Sequence, residues 1–202
     1  MRHIKIISFL ALTLTLVFCT GVSAQFTAQI NPAETVLKGT SHAFANVGLY
    51  DDVTTLIGGF RHGIGGYTDA AVRFGFADVD RGGDNGFILG GDLRYQVMEM
   101  RIKDPVDLSV GGLVETVLGT GVGNVSLGGF VVGSRNIVLT DSQDLWPYGR
   151  LIMRWDHFDS TDEFNIGFSA GAYMDLNEST GVSAEFQFDD QFGFILSAVF
   201  DL

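Results

Sequence analysis

The stretch QFGFILSAVFDL, Gln191 to Leu202, places Phe192, Phe194, Leu196, Ala198, Phe200 and Leu202 at every second position. Successive side chains of an extended strand point to opposite faces, so a period of two means one continuous apolar face. The same alternation recurs upstream. In GFILGGDLRYQV, Phe87, Leu89, Gly91, Leu93, Tyr95 and Val97 oppose Asp92, Arg94 and Gln96. In YGRLIMRWD, Leu151, Met153 and Trp155 oppose Arg150, Ile152, Arg154 and Asp156. FNIGFSAGAYM and GVSAEFQF repeat the pattern with Phe164, Ile166 and Phe168, then Phe186 and Phe188, on the apolar side. Such periodicity specifies strands rather than helices.

Turn-forming clusters of Gly, Asn, Asp and Ser punctuate the alternation, as at Asp51-Asp52, 80–85, 119–124, 159–162 and 177–180. Between them the sequence predicts ten strands, at 40–50, 53–62, 67–78, 86–97, 105–118, 124–134, 146–157, 163–174, 180–188 and 191–202. Counts of eight or twelve remain open, because Ser134 to Leu145 fits either a strand or a loop extension. The expected fold class is all-β, an antiparallel up-and-down barrel over 40–202.

The first 24 residues have a different character. Arg2 and Lys5 precede the apolar run IISFLALTLTLVF, and Val22, Ser23 and Ala24 are small. That is the plan of a secretory signal peptide cleaved after Ala24. Cys19 does not suit lipoprotein processing, because Phe18 stands where a small residue is needed. Residues 25–39 then read as a periplasmic N-terminal tail before the first strand, with an additional strand as the alternative. Without 1–24 the chain keeps 10 basic residues against 24 acidic ones, a net charge of −14, and no cysteine. The balance excludes nucleic acid as a partner, and the missing cysteines exclude a disulfide scaffold.

Two barrels compete for this pattern. A soluble, lipocalin-like barrel hides the apolar face inside; a transmembrane barrel turns it to lipid and lines its lumen with the polar face. The second is favoured. After residue 24 the only lysines are Lys38 and Lys103, whereas Arg61, Arg73, Asp92, Arg94, Glu115, Arg150, Arg154, Asp156, Glu185 and Asp201 share the polar face. Opposite charges among small residues suit a crowded lumen. Trp146 and Tyr148 near one strand end, and Trp155 and Phe158 near the other, suggest interfacial aromatic girdles. Closure of the sheet also leaves no unpaired backbone in hydrocarbon.

The C-terminal FGFILSAVFDL resembles the assembly signal of bacterial outer-membrane β-barrels, with Phe194, Leu196, Ala198, Phe200 and Leu202 as its alternating apolar positions. Leu202 stands where Phe is common. The resemblance implies a small porin-like barrel in a Gram-negative cell envelope, with outer-membrane lipid and the barrel assembly machinery as partners.

Candidate chemistry is sparse. His157 lies beside Asp156, but strand neighbours face opposite ways, so these two do not form a pair. His42, His62 and His157 have no metal-ligand spacing. DVDRGGDN (78–85) offers Asp78, Asp80 and Asp84 but lacks the closing glutamate of a calcium loop. Gly58-Gly59 and Gly111-Gly112 sit inside strands, where they suit barrel curvature rather than phosphate binding. The expectation is a non-enzymatic barrel without metal or cofactor, its lumen largely plugged by charge, in a structural or membrane-integrity role. The alternatives are a narrow channel for small polar solutes and, third, a barrel-rim hydrolase.

Overall fold

The computed structural model describes residues 31–51, 53–79, 85–102, 104–119, 124–140, 143–158, 161–189 and 191–202. The stretch 1–24 expected to be a signal peptide lies outside the described residues, as does most of the acidic turn at 78–85. The strands are β1 (Ser41–Tyr50), β2 (Val53–Gly63), β3 (Thr68–Val79), β4 (Gly86–Met98), β5 (Asp107–Gly119), β6 (Asn124–Ser134), β7 (Ile137–Thr140), β8 (Gln143–Phe158), β9 (Thr161–Asn177), β10 (Thr180–Asp189) and β11 (Gln191–Asp201). One short 3-10 helix, Met100–Ile102, stands between β4 and β5.

Each long strand pairs antiparallel with its neighbour in sequence, and β6 pairs with β8 past the short β7. β11 pairs with β1 from His42↔Asp201 to Tyr50↔Gly193, which closes the sheet. Eleven strands, less β7, leave a ring of ten. The ambiguous segment 134–145 becomes both of the things expected of it: β7 folds back on the start of β8, with Ile137↔Leu145, and β8 begins at Gln143. The chain enters and leaves the barrel at one end, here called the terminal mouth.

The two faces divide as the alternation demands. On β4 the burial pattern alternates from Ile88 and Asp92 to Arg94 and Gln96 inside, with Leu89, Leu93 and Tyr95 outside. Arg154 is 1% exposed while its neighbour Trp155 is 55% exposed. Phe74, Phe76, Val114, Leu127, Phe164, Phe168, Phe186 and Leu196 continue the apolar outer wall. This is the reverse of a soluble barrel, so the lipocalin-like alternative does not describe the chain. One expectation needs correction. Trp146 and Tyr148 are not girdle residues; they share parity with Arg150 and lie buried inside the barrel. Aromatics that are exposed towards the terminal mouth include Tyr67, Tyr95, Phe60 and Phe200.

Inward-facing aromatics explain many of the glycines. Phe44 pairs across the sheet with Gly59, Phe130 with Gly111, Tyr148 with Gly171 and Tyr50 with Gly193. A Cβ on any of these glycines would meet the paired ring. The missing side chain therefore lets a large ring lie flat against the neighbouring strand, a cross-strand fit of bulk against void. Two apolar clusters result. One joins Leu113, Phe130, Val132, Tyr148, Ile152 and Ile195; the other joins Val53, Ile57, Ala77 and Ile88.

Gly111 and Gly112 provide a direct check on this packing. A Cβ on Gly111 strikes the Phe130 ring and the Leu93 carbonyl, whereas one on Gly112 has its nearest neighbour at 3.7 Å, the Gly128 carbonyl. Gly111→Ala is expected to cost about 1–3 kcal/mol through overpacking. Gly112→Ala should leave stability nearly unchanged. Urea unfolding midpoints of the two variants in detergent test the difference.

Candidate functional site: the charged lumen and its terminal mouth

Adjacent strands β2, β3 and β4 bring five charged side chains together. Arg61 donates to Asp69 at 2.5 Å and to both oxygens of Asp92 at 2.8 and 3.0 Å. Arg73 donates to Asp92 at 2.6 Å, and Arg94 to Asp69 at 2.6 and 3.2 Å. The five residues are each no more than 7% exposed. Arg73 also extends to Glu115 on β5 at 3.9 Å. The planar guanidinium fork lets one arginine bridge two carboxylates, which a lysine cannot do with the same geometry.

Across the lumen the remaining charges form smaller groups. Arg150 lies 3.5 Å from Glu185, which also accepts from Gln187, and its guanidinium stands 5.7 Å from the Tyr148 ring centre. Arg154 donates to Asp156 at 2.8 Å and forms an ion pair with Asp189, while Asn165 donates to Asp156 at 2.7 Å. Nine of the ten expected lumen charges thus lie in buried ion pairs or beside one. Asp201 does not. It sits at the terminal mouth, half-exposed, 3.2 Å from His42.

The mouth holds an element that strand periodicity does not reveal. Residues 31–36 run into the barrel instead of standing clear of it. A turn reverses the chain at the start of β1: Thr40 N–H donates to the Leu37 carbonyl, and Gly39 has φ of 83°. That φ at the third turn position is the type II geometry, which glycine accepts without strain. The wall then takes up the segment's backbone. Arg150 donates to the Asn31 carbonyl, and Arg94 to those of Pro32 and Glu34. Ser109 donates to the Ala33 carbonyl, and Ser134 accepts from the Ala33 N–H. Gln96 accepts from the N–H of Thr35, and Asp69 from that of Val36. Ala33 is wholly buried in the Leu113 and Phe130 cluster. Burial pushes the Glu34 carboxyl above its ordinary pKa, opposed by Arg101 at 2.8 Å.

Several of these groups were within reach of parity. Asp69 is two residues from Ala71 and four from Arg73, and Asp189 is four from Glu185, so each belongs to the inward set. At the far end His157 is exposed on the outer face and meets Asp162 at 2.6 Å across the β8–β9 pair, while Asp156 points inward. Separation of Asp156 from His157 therefore holds, but the cross-strand partner was not visible in local sequence. His62 accepts or shares a hydrogen bond with Ser41 at 2.8 Å. Among the described residues no group of His, Cys, Asp and Glu could hold a metal ion. The positions Phe194, Leu196, Ala198, Phe200 and Leu202 lie along the outer face of β11 and at its end.

Asp69 neutralises two buried arginines and accepts from the mouth segment, so its loss leaves buried cations uncompensated. Asp69→Ala is expected to destabilise the barrel by about 3–5 kcal/mol. Asp201→Ala, at a solvent-screened pair, should cost about 1 kcal/mol or less. Chemical denaturation of both variants in the same detergent provides the comparison.

No family model matches the chain, and no curated protein matches it either. Solved structures do match. The β domain of the Bordetella autotransporter BrkA aligns with TM-score 0.51 and 12% identity over 81% of this chain and 98% of that one. An outer membrane channel from Pseudomonas putida F1 gives 0.48 and 10% identity over 89% and 100%. The KdgM porin gives 0.42 and 10% identity over 79% and 98%. At these identities the likeness is one of architecture: this chain has the closed antiparallel barrel fold found in bacterial outer-membrane proteins.

Proposed function

We propose that this protein is a small outer-membrane barrel with a closed lumen and a structural, membrane-integrity role, exported by its first 24 residues. The observation that carries this reading is the filling of the bore. The Arg61–Asp69–Asp92 group and the apolar cluster around Phe130 and Ile152 fill one interior, and the inserted segment 31–36 packs into both through Val36 and Ala33. A barrel of about eight strands is just filled by its side chains, and ten adds modest width. The outer wall of Phe, Leu and Val supports placement in lipid, with the terminal mouth on the periplasmic side and the outer face of β11 available to assembly machinery. The protein acts without catalysis in this reading, and the His157–Asp162 pair is a rim contact.

A narrow channel for small polar solutes is the second reading. A cavity of about 380 Å³ at the terminal mouth favours it, since Arg61, Arg94 and His42 contribute to its lining.

Membrane fractionation and bilayer recording test these statements. The protein should fractionate with outer membranes and migrate differently in gels before and after boiling. In planar bilayers it should give no resolvable conductance steps; reproducible steps would replace the structural reading with the channel. His157→Ala should change neither folding nor any hydrolysis of lipid or peptide measured with the purified barrel, and loss of such hydrolysis would restore the rim enzyme.

A further inference from the structure

The grip on residues 31–36 is unusual in what it touches. Wall side chains meet the carbonyls of Asn31, Pro32, Ala33 and Glu34, and the N–H groups of Ala33, Thr35 and Val36. These groups exist in any polypeptide that follows the same course, irregular with one bend at Ala33 and Glu34. Three side chains add to the backbone contacts: the Thr35 hydroxyl donates to Gln96 at 3.0 Å, Glu34 pairs with Arg101 at 2.8 Å, and Ala33 fills a fully buried position. Seven backbone groups satisfied by six wall residues make a peptide-reading surface in which backbone contacts outnumber those to side chains.

The segment also occupies only part of the mouth. Beside it lies the cavity of about 380 Å³, lined by Pro32, Glu34 and Val36 of the segment and by Trp146, Tyr173 and Val199 of the wall. At its other end the segment is tied to β1 by the Gly39 turn, a hinge of few residues. We propose that the terminal mouth is a binding site for a peptide segment with a single bend, occupied in cis by residues 31–36, which a second unstructured polypeptide with a small residue at the Ala33 position can take when the segment withdraws. Recognition is by Arg94, Arg150, Ser109, Ser134, Gln96 and Asp69. A short tether gives the resident segment an effective concentration on the order of millimolar, so dilute free peptide does not displace it unaided. The site is thus self-occupied until the segment is pulled out.

The experiment uses the full chain in detergent micelles. Thr35→Cys reports where the segment is, through its reaction with a membrane-impermeant maleimide. Ala33→Trp cannot enter its buried position and expels the segment without altering the wall. The Thr35→Cys thiol should react about tenfold more slowly in the otherwise intact chain than alongside Ala33→Trp, as expected for a group protected by local structure. A fluorescent synthetic peptide of the sequence Asn-Pro-Ala-Glu-Thr-Val-Leu should bind the Ala33→Trp barrel and not the intact one. If Ala33→Trp fails to fold, shown by loss of the heat-dependent gel shift, Gly39→Val replaces it, because a β-branched residue strains the positive φ of the turn. Equal thiol reactivity in intact and expelled chains would overturn the proposal, as would a folded, expelled barrel that takes up no peptide. Either result leaves the closed-lumen reading to be decided by its own bilayer recordings.

Discussion

Pairing of β11 with β1 is the contact on which the remaining structure rests. A sheet of ten long strands with an apolar outer face has two edges until that ladder forms, and each edge presents unpaired N–H and C=O groups. Where hydrocarbon replaces water those groups have no other partner, at a cost of several kcal/mol each. The register from His42↔Asp201 to Tyr50↔Gly193 satisfies them. It also determines what is inside: once the ring closes, every inward side chain shares one narrow space and must be accommodated by the others.

That accommodation takes two forms. Charges are handled by arginine forks bridging carboxylates on neighbouring strands, so that Asp69 and Asp92 each serve two cations. Bulk is handled by glycine. Phe44, Phe130, Tyr148 and Tyr50 can turn inward because Gly59, Gly111, Gly171 and Gly193 leave their strands bare opposite the rings. The two devices meet at Tyr148, whose ring lies against Gly171 with the Arg150 guanidinium 5.7 Å from its centre. The mouth adds a third device, a reversed N-terminal segment whose carbonyls accept from Arg94 and Arg150.

Much of this was legible from parity alone. Arg150, Ile152, Arg154 and Asp156 fall inside and Leu151, Met153 and Trp155 outside, as a period of two requires. The same rule, applied to Trp146 and Tyr148, puts them in the lumen; reading them as girdle residues gave composition near a strand end more weight than periodicity. Asp69 and Asp189 were likewise within the rule's reach. The inserted segment was not. NPAETVLKGT has no alternation to follow, and Gly39 is one glycine among 27.

Alternation by itself determined that the chain is all-β, where most of its strands run, and which residues share a face, because these follow from local backbone geometry repeated along the chain. Tertiary structure alone decided which charges meet, that Asp201 stays at the rim while Asp69 becomes a hub, that His157 finds Asp162, and that residues 31–36 turn inward. Those outcomes depend on cross-strand register and on a single chain reversal. Both bring together groups far apart in sequence, and a period of two carries no information about which strand lies beside which.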